Sequence, residues 1–134
     1  MSNKRNNNIC VIGLGYVGMP LLLELSKFFS CTGYDIDKQK ILNLSKKYKN
    51  IKFVSKLDNV DCNVYILCVP TPVNKSNKPN LNPLKLATKY VSKFLKKKDL
   101  TIFESTVNPG TTEYLSENII EKVSELIPFY KSKN

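Results

Sequence analysis

Short apolar runs alternate along this chain with polar stretches in which apolar residues recur every third or fourth position. The runs predict β-strands at residues 8–13, 31–35, 51–54, 63–69 and 100–103. The periodic stretches predict helices at residues 17–29, 37–47 and 83–97, and a last helix that is capped by Thr111 or Thr112. Strands that alternate with helices are typical of a parallel sheet covered on both faces. The pattern therefore predicts an α/β fold with a doubly wound, Rossmann-type parallel sheet.

Length and the placement of polar residues indicate a single domain. A chain of 134 residues is long enough to bury a core of its own. Residues 1–7 are polar and are expected to be disordered, residues 8–127 form the predicted domain, and residues 128–134 form a tail without a clear pattern. The runs at 63–69 and 100–103 are continuously apolar, which predicts strands buried on both faces.

The first predicted strand leads into a Gly-x-Gly-x-x-Gly sequence formed by Gly13, Gly15 and Gly18. Gly13 permits a tight turn, Gly15 lets a pyrophosphate approach the backbone, and Gly18 lets the next helix pack closely on the sheet. The free N–H groups at the start of that helix are suited to phosphate groups. Asp35 ends the second predicted strand, where a carboxylate accepts hydrogen bonds from ribose hydroxyls. This layout predicts a dinucleotide site, and a strand–turn–helix without a ligand is the alternative.

The residue type at position 35 also bears on which dinucleotide binds. Asp35 favours NAD over NADP, because a carboxylate repels a 2′-phosphate and no arginine follows it. Lys38 and Lys40 lie close to it in sequence and weaken that preference slightly.

Two further apolar strands end in loops that carry threonine hydroxyls. Thr71 lies between two prolines after the run at 63–69, and Thr106 lies in residues 104–110 after the run at 100–103. Ligands of parallel sheets bind beyond the carboxyl ends of the strands, so both loops are expected to converge with the glycine loop. Thr71 and Thr106 are therefore predicted site residues, and an ordinary turn or cap hydroxyl is the alternative for each.

The charge of the chain allows nucleic-acid binding but does not favour it. The net charge is +10, yet Arg5 is the only arginine and the lysines are spread over several segments. Arginine is the usual reader of bases and phosphates, so most of this charge is interpreted as solvated surface. We therefore predict no nucleic-acid partner, although a polyanionic nucleotide would benefit from the positive field.

Cysteine spacing and hydropathy bear on metals and on the compartment. Cys10, Cys31, Cys62 and Cys68 follow no zinc spacing, and the sequence contains no histidine. The cysteines are interpreted as small apolar filler in a reducing compartment. No apolar run approaches the ~20 residues that cross a bilayer, and the polar start does not resemble a secretory signal. We expect a cytoplasmic protein that binds neither a metal nor a membrane.

Four motifs occur in order along the chain. They are Gly13-Leu14-Gly15-Tyr16-Val17-Gly18-Met19-Pro20, Gly33-Tyr34-Asp35-Ile36-Asp37, Val69-Pro70-Thr71-Pro72 and Glu104-Ser105-Thr106-Val107-Asn108-Pro109-Gly110-Thr111-Thr112-Glu113. Together they resemble the UDP-glucose/GDP-mannose dehydrogenase family, from about residue 9 to about residue 120. The set is most similar to the branch that oxidises UDP-N-acetyl-hexosamines such as UDP-N-acetylglucosamine, -mannosamine or -galactosamine.

The resemblance implies that NAD is the cofactor. The contacts that it implies are made by Gly13, Gly15, Tyr16, Val17, Gly18, Asp35, Lys40, Thr71 and Thr106. The glycine loop would hold the pyrophosphate, with the Val17 N–H among the donors, and Asp35 and Lys40 would contact the adenosine ribose side. The two threonines match contacts near the nicotinamide, and the resemblance also implies that Thr106 helps to orient the reacting group or a water. The family reaction oxidises the C6 alcohol of a nucleotide sugar to a carboxylate through a cysteine thioester, with two hydride transfers to NAD.

The chain departs from the family in two respects. It stops before the family's nucleophilic cysteine, central dimerising helices and UDP-binding C-terminal domain, and residues 46–51 lack a helical insert that many relatives carry. We therefore expect the NAD-binding portion of a nucleotide-sugar 6-dehydrogenase, which is not catalytically competent alone. It would meet its UDP-sugar only with a second-half polypeptide, and a homodimer is also open.

A standalone, non-catalytic NAD-binding or interaction module stays open as the main alternative. The loops that carry Thr71 and Thr106 disfavour another Rossmann dehydrogenase or a SAM-dependent methyltransferase.

Overall fold

The computed structural model describes residues 6–124, which form a five-stranded, fully parallel sheet in the order β3-β2-β1-β4-β5. The strands are β1 (Asn8–Ile12), β2 (Ser30–Tyr34), β3 (Lys52–Val54), β4 (Val64–Leu67) and β5 (Leu100–Phe103). The chain winds outward from β1 through β2 to β3, then returns to the other side of β1 for β4. Such a reversal of strand order opens a crevice at the carboxyl ends of the two strands that flank it.

Helices cover both faces of this sheet. They are α1 (Gly18–Leu25), α2 (Lys38–Lys47), α3 (Asn82–Ser92), α4 (Thr111–Leu115), a π-helical turn (Ser116–Ile120) and α5 (Glu121–Ser124). Leu22 of α1 and Ile41 of α2 pack on one face, and Leu84 of α3 and Leu115 of α4 pack on the other. The predicted doubly wound Rossmann-type fold is confirmed.

The central strand β1 shows how the sequence specifies two cores. Ile9 and Val11 point to the face that carries α1 and α2, whereas Cys10 and Ile12 point to the face that carries α3. All four side chains are almost completely buried. Burial of an Ile or Val side chain contributes roughly 1.5–3 kcal/mol, so the continuous apolar run fixes β1 at the centre of the sheet.

The connection from β3 to β4 crosses the sheet without a helix. Leu57 anchors this connection, residues 55–63, because its side chain is buried among the residues under α3 and its N–H donates a 2.9 Å hydrogen bond to Tyr90 Oη. Asn59 has a φ of 63°, a left-handed conformation that Asn tolerates better than most residues. The connection thus packs through side chains where many Rossmann units use a helix.

Several predicted boundaries were wrong. The helix predicted at 17–29 ends at Leu25, because Phe28 N–H bonds to Leu25 C=O in a tighter turn. The helix predicted at 83–97 ends at Ser92 for a similar reason, with Phe94 N–H bonded to Val91 C=O.

The strand predicted as buried at 100–103 was also misjudged. It is the edge strand β5 of the described sheet, and Leu100 is exposed. The predicted cap at Thr111 or Thr112 was wrong, because Gly110, with a φ of 86°, is the N-cap of α4 and Thr111 is its first residue. The predicted disorder at 1–7 lies mostly outside the described residues, as do the domain end at 127 and the tail at 128–134.

Candidate cofactor-binding site

Each loop that carries a predicted site residue leaves the carboxyl end of a strand. The glycine loop follows β1, Asp35 follows β2, Thr71 lies beyond β4 and Thr106 beyond β5. Glu104 N–H bonds to Leu67 C=O, which continues the β4–β5 pairing into the loops. The parallel sheet therefore brings segments far apart in sequence to one edge.

The three glycines of the first loop have different environments. Gly13 has a φ of 92°, and a Cβ there would lie 3.0 Å from the carbonyl oxygen of Cys68. A Cβ on Gly18 would overlap the carbonyl oxygen of Gly13, so this glycine is required for the helix to sit against the loop. A Cβ on Gly15, in contrast, would meet nothing within 4 Å. The protein's own packing does not require glycine at position 15, and the open space there suits the close approach of a ligand.

The helix after this loop presents backbone donors to the same space. Its first backbone bond runs from Met19 N–H to Gly15 C=O at 3.1 Å. The N–H groups of Tyr16, Val17 and Gly18 therefore come before the hydrogen-bond ladder of α1, at the positive end of the helix dipole. The Tyr16 side chain is fully exposed and Val17 is largely exposed. This end of the helix can receive a phosphate group.

Asp35 connects the end of β2 to the glycine loop. Its Oδ2 accepts a 3.0 Å hydrogen bond from Leu14 N–H and a 2.8 Å bond from Lys40 Nζ, and its Oδ1 accepts a 3.0 Å bond from Asp37 N–H. A carboxylate has about four lone-pair sites, so these three bonds leave room at Oδ1 for one more donor. A ribose hydroxyl is such a donor, and the residues present fit the adenosine side of a dinucleotide.

The Asp35 carboxyl is held in its ionised form. Burial raises its pKa, but the hydrogen bonds from Lys40, Asp37 N–H and Leu14 N–H together outweigh burial, and the net pKa lies below the ordinary value. Lys40 is held in place by the start of α2, where Asp37 caps the helix by accepting the Lys40 N–H at 3.0 Å. A negative charge at position 35 is therefore maintained at neutral pH.

Thr71 and Thr106 lie in contact. The Thr71 hydroxyl donates a 2.9 Å hydrogen bond to the Thr106 carbonyl, which fastens the β4 loop to the β5 loop. Ser105 strengthens the same link by donating to the Val69 carbonyl at 2.6 Å. Ser105 had not been singled out as a site residue, although it stands next to Thr106 in the motif after β5. The predicted convergence of these loops is confirmed, and contact of either threonine with a cofactor stays a prediction.

The candidate site is an open surface of converging loops. Two cavities of about 400 and 350 Å³ lie instead at the opposite edge of the sheet, one beside residues 47–51 and the other beside Asn8, Cys62 and Asp99. Within residues 6–124, no group of three or more Cys, Asp or Glu side chains is placed to hold a metal ion. Among the helices described, none has the length and apolar content needed to span a membrane.

Comparison with known proteins identifies the family. The model for the NAD-binding domain of the UDP-glucose/GDP-mannose dehydrogenase family matches residues 46–130, more than half of the chain. The glycine loop and Asp35 precede that match, so their assignment rests on their geometry and on pairwise similarity.

The relatives are nucleotide-sugar dehydrogenases. The chain is 37% identical to UDP-N-acetyl-D-glucosamine 6-dehydrogenase of Salmonella typhi over 87% of its own length and 31% of the relative's. It is 38% identical to the Pseudomonas aeruginosa enzyme of the same name, over 88% of this chain and 32% of the relative. The structure of a UDP-D-ManNAc dehydrogenase from Pyrococcus horikoshii superposes with a TM-score of 0.80 at 28% identity, over 91% of this chain and 34% of that one.

These matches confirm the predicted family and show how much of the relatives' length the chain covers. The chain spans about a third of the length of the relatives it matches. Because the matched family model is that of the cofactor domain, NAD is the cofactor of the matched region. The chain belongs to the UDP-glucose/GDP-mannose dehydrogenase family and corresponds to its NAD-binding domain.

Proposed function

We propose that this chain binds NAD across the carboxyl edge of its sheet, as the cofactor-binding portion of a nucleotide-sugar 6-dehydrogenase. The pyrophosphate would lie over Gly15 at the start of α1, and the adenosine ribose would bond to Asp35. The observation that carries the proposal is the hydrogen bond from Leu14 N–H to Asp35 Oδ2, since it holds the glycine loop and the ribose acceptor in one rigid arrangement. A site that is ordered before binding loses less conformational entropy on binding.

The environment of Asp35 supports NAD over NADP. Its carboxylate is buried and ionised, so a 2′-phosphate would place a second negative charge against it. Lys40 neutralises part of this charge, but its ammonium is already bonded to Asp35. We therefore propose a preference for NAD that Lys40 reduces without reversing.

Thr71, Ser105 and Thr106 would support the nicotinamide side. Their hydrogen bonds tie two loops together at the sheet edge, which would keep the threonines at fixed positions beside the cofactor. When bound, NAD supplies the hydride acceptor for oxidation of the substrate's C6 alcohol. The role proposed for this chain is to bind and orient that acceptor, with Thr106 positioned to help orient the reacting group.

The cysteines of the chain support the proposal that other residues supply the nucleophile. Only Cys68 borders the glycine loop, and it is buried, with burial and then Glu104 raising its pKa to about 11. A thiol with a raised pKa is a poor nucleophile at neutral pH. We propose that none of these four cysteines forms the thioester and that further polypeptide of the family supplies that residue. The chain alone would then bind NAD without oxidising a UDP-sugar.

A second folded unit would complete the site. Tyr16, Val17, Ile36 and Val73 are exposed at the edge of the sheet where the cofactor is proposed to lie. Exposed apolar side chains grouped around a candidate site are typical of a surface that another domain covers. We propose that further polypeptide of the family, in the same or a second chain, covers this edge and supplies the UDP-sugar subsite. Pairing with a second copy of this chain is the alternative.

The state of the cysteines supports a proposal about the compartment. All four cysteines are free thiols, as is usual in a reducing compartment. We propose that the protein works in the cytoplasm.

A titration followed by an activity assay tests the proposal. The purified chain is titrated with NAD by calorimetry, and UDP-N-acetylglucosamine is then added while NADH absorbance is recorded. Binding of NAD without formation of NADH is expected. Absence of NAD binding would contradict the cofactor assignment, and formation of NADH would contradict the proposed need for a second unit.

A further inference from the structure

A surface cavity lined by lysines lies at the edge of the sheet opposite the proposed cofactor site. Its volume is about 400 Å³, and it opens between residues 26–27, just after α1, and residues 47–51, which lead from α2 to β3. Among the described residues that line it, Lys27, Lys47 and Lys49 are basic and none is acidic. A cavity of this volume is large enough to receive a small molecule.

Two of these three ammonium groups are not neutralised by a carboxylate. Lys27 Nζ bonds to both carboxylate oxygens of Glu24, at 2.7 and 2.8 Å. Neither Lys47 nor Lys49 forms an ion pair with any residue from 6 to 124. The helix dipole accounts for a cation at Lys47, in the last turn of α2, but Lys49 lies beyond the end of that helix. The cavity therefore carries positive charge that the protein does not itself compensate.

An aromatic ring holds one of these ammonium groups in place. Lys47 Nζ lies 5.3 Å from the centroid of the Tyr48 ring. Tyr48 is half-buried, packs on the core together with Ile51, and lies 6.2 Å from the ring of Phe53, so it forms a fixed support. A cation–π contact positions an ammonium group without cancelling its charge. Lys47 is thus partly ordered before any anion arrives, which lowers the entropy lost on binding.

The turn after α2 supplies further donors. The backbone N–H groups of Lys49, Asn50 and Ile51 are consecutive, and none of them donates to an acceptor within residues 6–124. The side chains of the same three residues line the cavity. Consecutive backbone N–H groups in a turn are a recurrent way of binding an anion. Charged and neutral donors therefore occur together in one short segment.

We propose that this cavity binds the phosphate group of a small, soluble phosphorylated molecule. Lys47 and Lys49 would form charge-assisted hydrogen bonds with the phosphate oxygens, and the unbonded N–H groups of the turn would add neutral ones. Tyr48 and Ile51 would contact the uncharged part of the ligand. This binding is non-covalent and is separate from the NAD binding proposed at the opposite edge of the sheet.

Nuclear magnetic resonance titration of the unaltered chain with inorganic phosphate tests the location. The ionic strength is kept constant, and chloride is the matched control anion. We expect phosphate, but not chloride, to shift the amide signals of residues 47–51 in a saturable way, with or without a saturating amount of NAD. Absence of saturable shifts there, or phosphate shifts confined to the glycine loop, would overturn the proposal. Because the residues 47–51 are read directly, a failure of NAD to bind would not affect this result.

Paired lysine substitutions test whether the cavity itself carries the affinity. The Lys47→Gln, Lys49→Gln double variant should bind phosphate at least about tenfold more weakly. The matched control is Lys46→Gln, Lys52→Gln, which removes the same charge from two exposed positions that do not line the cavity. The control should bind phosphate almost as well as the unaltered chain. Equal losses in the two double variants would show a general effect of charge and would overturn the proposal.

Vesicle sedimentation distinguishes a soluble ligand from a lipid headgroup. The chain is mixed with vesicles that contain phosphatidic acid and is then centrifuged. We expect the chain to stay in the supernatant. Sedimentation with the vesicles that the Lys47→Gln, Lys49→Gln double variant loses would assign the cavity to a membrane surface and overturn the proposed soluble ligand.

Discussion

The carboxylate of Asp35 accepts the backbone N–H of Leu14 at 3.0 Å, across a separation of 21 residues. Leu14 lies inside the glycine loop and Asp35 lies one residue beyond β2, so this bond joins the two parts of the proposed dinucleotide site. Lys40 Nζ bonds to the same oxygen and keeps it ionised. The fold thus prepares an acceptor for ribose and a donor surface for phosphate before any ligand arrives.

Gly15→Ala should weaken NAD binding and leave the stability of the fold almost unchanged. A Cβ on Gly15 would meet no protein atom within 4 Å, so Gly15→Ala should change the free energy of unfolding by less than about 1 kcal/mol. The new methyl group would occupy the space proposed for the pyrophosphate, and NAD should bind at least about tenfold more weakly. Chemical denaturation and calorimetric titration measure the two effects.

Gly18→Ala is the matched control for that variant. Its Cβ would overlap the Gly13 carbonyl oxygen, and the resulting overpacking should cost about 1–3 kcal/mol of stability or more. If both variants were equally stable and bound NAD equally well, the proposed difference between the two glycines would be wrong.

The ionised state of Asp35 predicts a pH dependence of stability. Its folded-state pKa lies below the ordinary value of 3.8, so its charge stabilises the fold at any pH above that value. This contribution is lost as the pH falls through the folded-state pKa. The stability advantage of the unaltered chain over an Asp35→Asn variant should therefore shrink below about pH 4. Urea denaturation of both proteins from pH 7 to pH 3 tests this, and a constant difference would contradict it.

Tyr90→Phe tests the helix-free connection between β3 and β4. The Tyr90 hydroxyl accepts a hydrogen bond from the N–H of Leu57, a residue that is only 1% exposed. Removal of this acceptor leaves a shielded N–H unbonded and should cost about 1–3 kcal/mol in the free energy of unfolding. Tyr16→Phe is the control, since Tyr16 is fully exposed and its loss should change stability by less than about 0.5 kcal/mol. Equal stabilities of the two variants would show that the Tyr90 bond contributes nothing.

The link between Thr71 and Thr106 should matter for cofactor affinity. Thr71→Val removes the hydroxyl that donates to the Thr106 carbonyl, while Thr71→Ser keeps a donor. We expect the valine variant to bind NAD about fivefold more weakly, equivalent to about 1 kcal/mol, and the serine variant to bind nearly normally. Identical NAD affinities of the two variants, measured by calorimetry, would show that the Thr71 hydroxyl does not contribute to cofactor binding.

Local patterns were enough to predict the sheet and most of the proposed site. The apolar run that became β1 and the glycines after it define both a buried strand and a tight turn. Parallel strands place their carboxyl ends together, so the convergence of the loops at Thr71 and Thr106 followed from their positions after strands. Asp35 was expected at the end of β2 for the same reason, and it is there.

Other features depend on contacts between distant residues and could not be predicted. Leu57 and Tyr90 are 33 residues apart in sequence. The hydrogen bond between them helps to hold the β3–β4 connection in place, which a helix would otherwise do. The ends of α1 and α3 are set by tight turns within otherwise helical sequences. Cys10 and Cys62 belong to one buried cluster because of the path of the β3–β4 connection over the sheet, and cysteine spacing does not encode that path.

Calorimetric titration of the unaltered chain and of Asp35→Ala with NAD is the decisive test of the proposed cofactor site. Asp58→Ala is the control, because Asp58 is an exposed carboxylate in the β3–β4 connection and is not among the proposed cofactor contacts. We predict that the unaltered chain binds NAD and that Asp35→Ala weakens this binding by at least about tenfold, because the ribose hydroxyls lose a charged acceptor. Asp58→Ala should leave NAD affinity unchanged. Equal NAD affinity of the folded Asp35→Ala variant and the unaltered chain would contradict the proposed site.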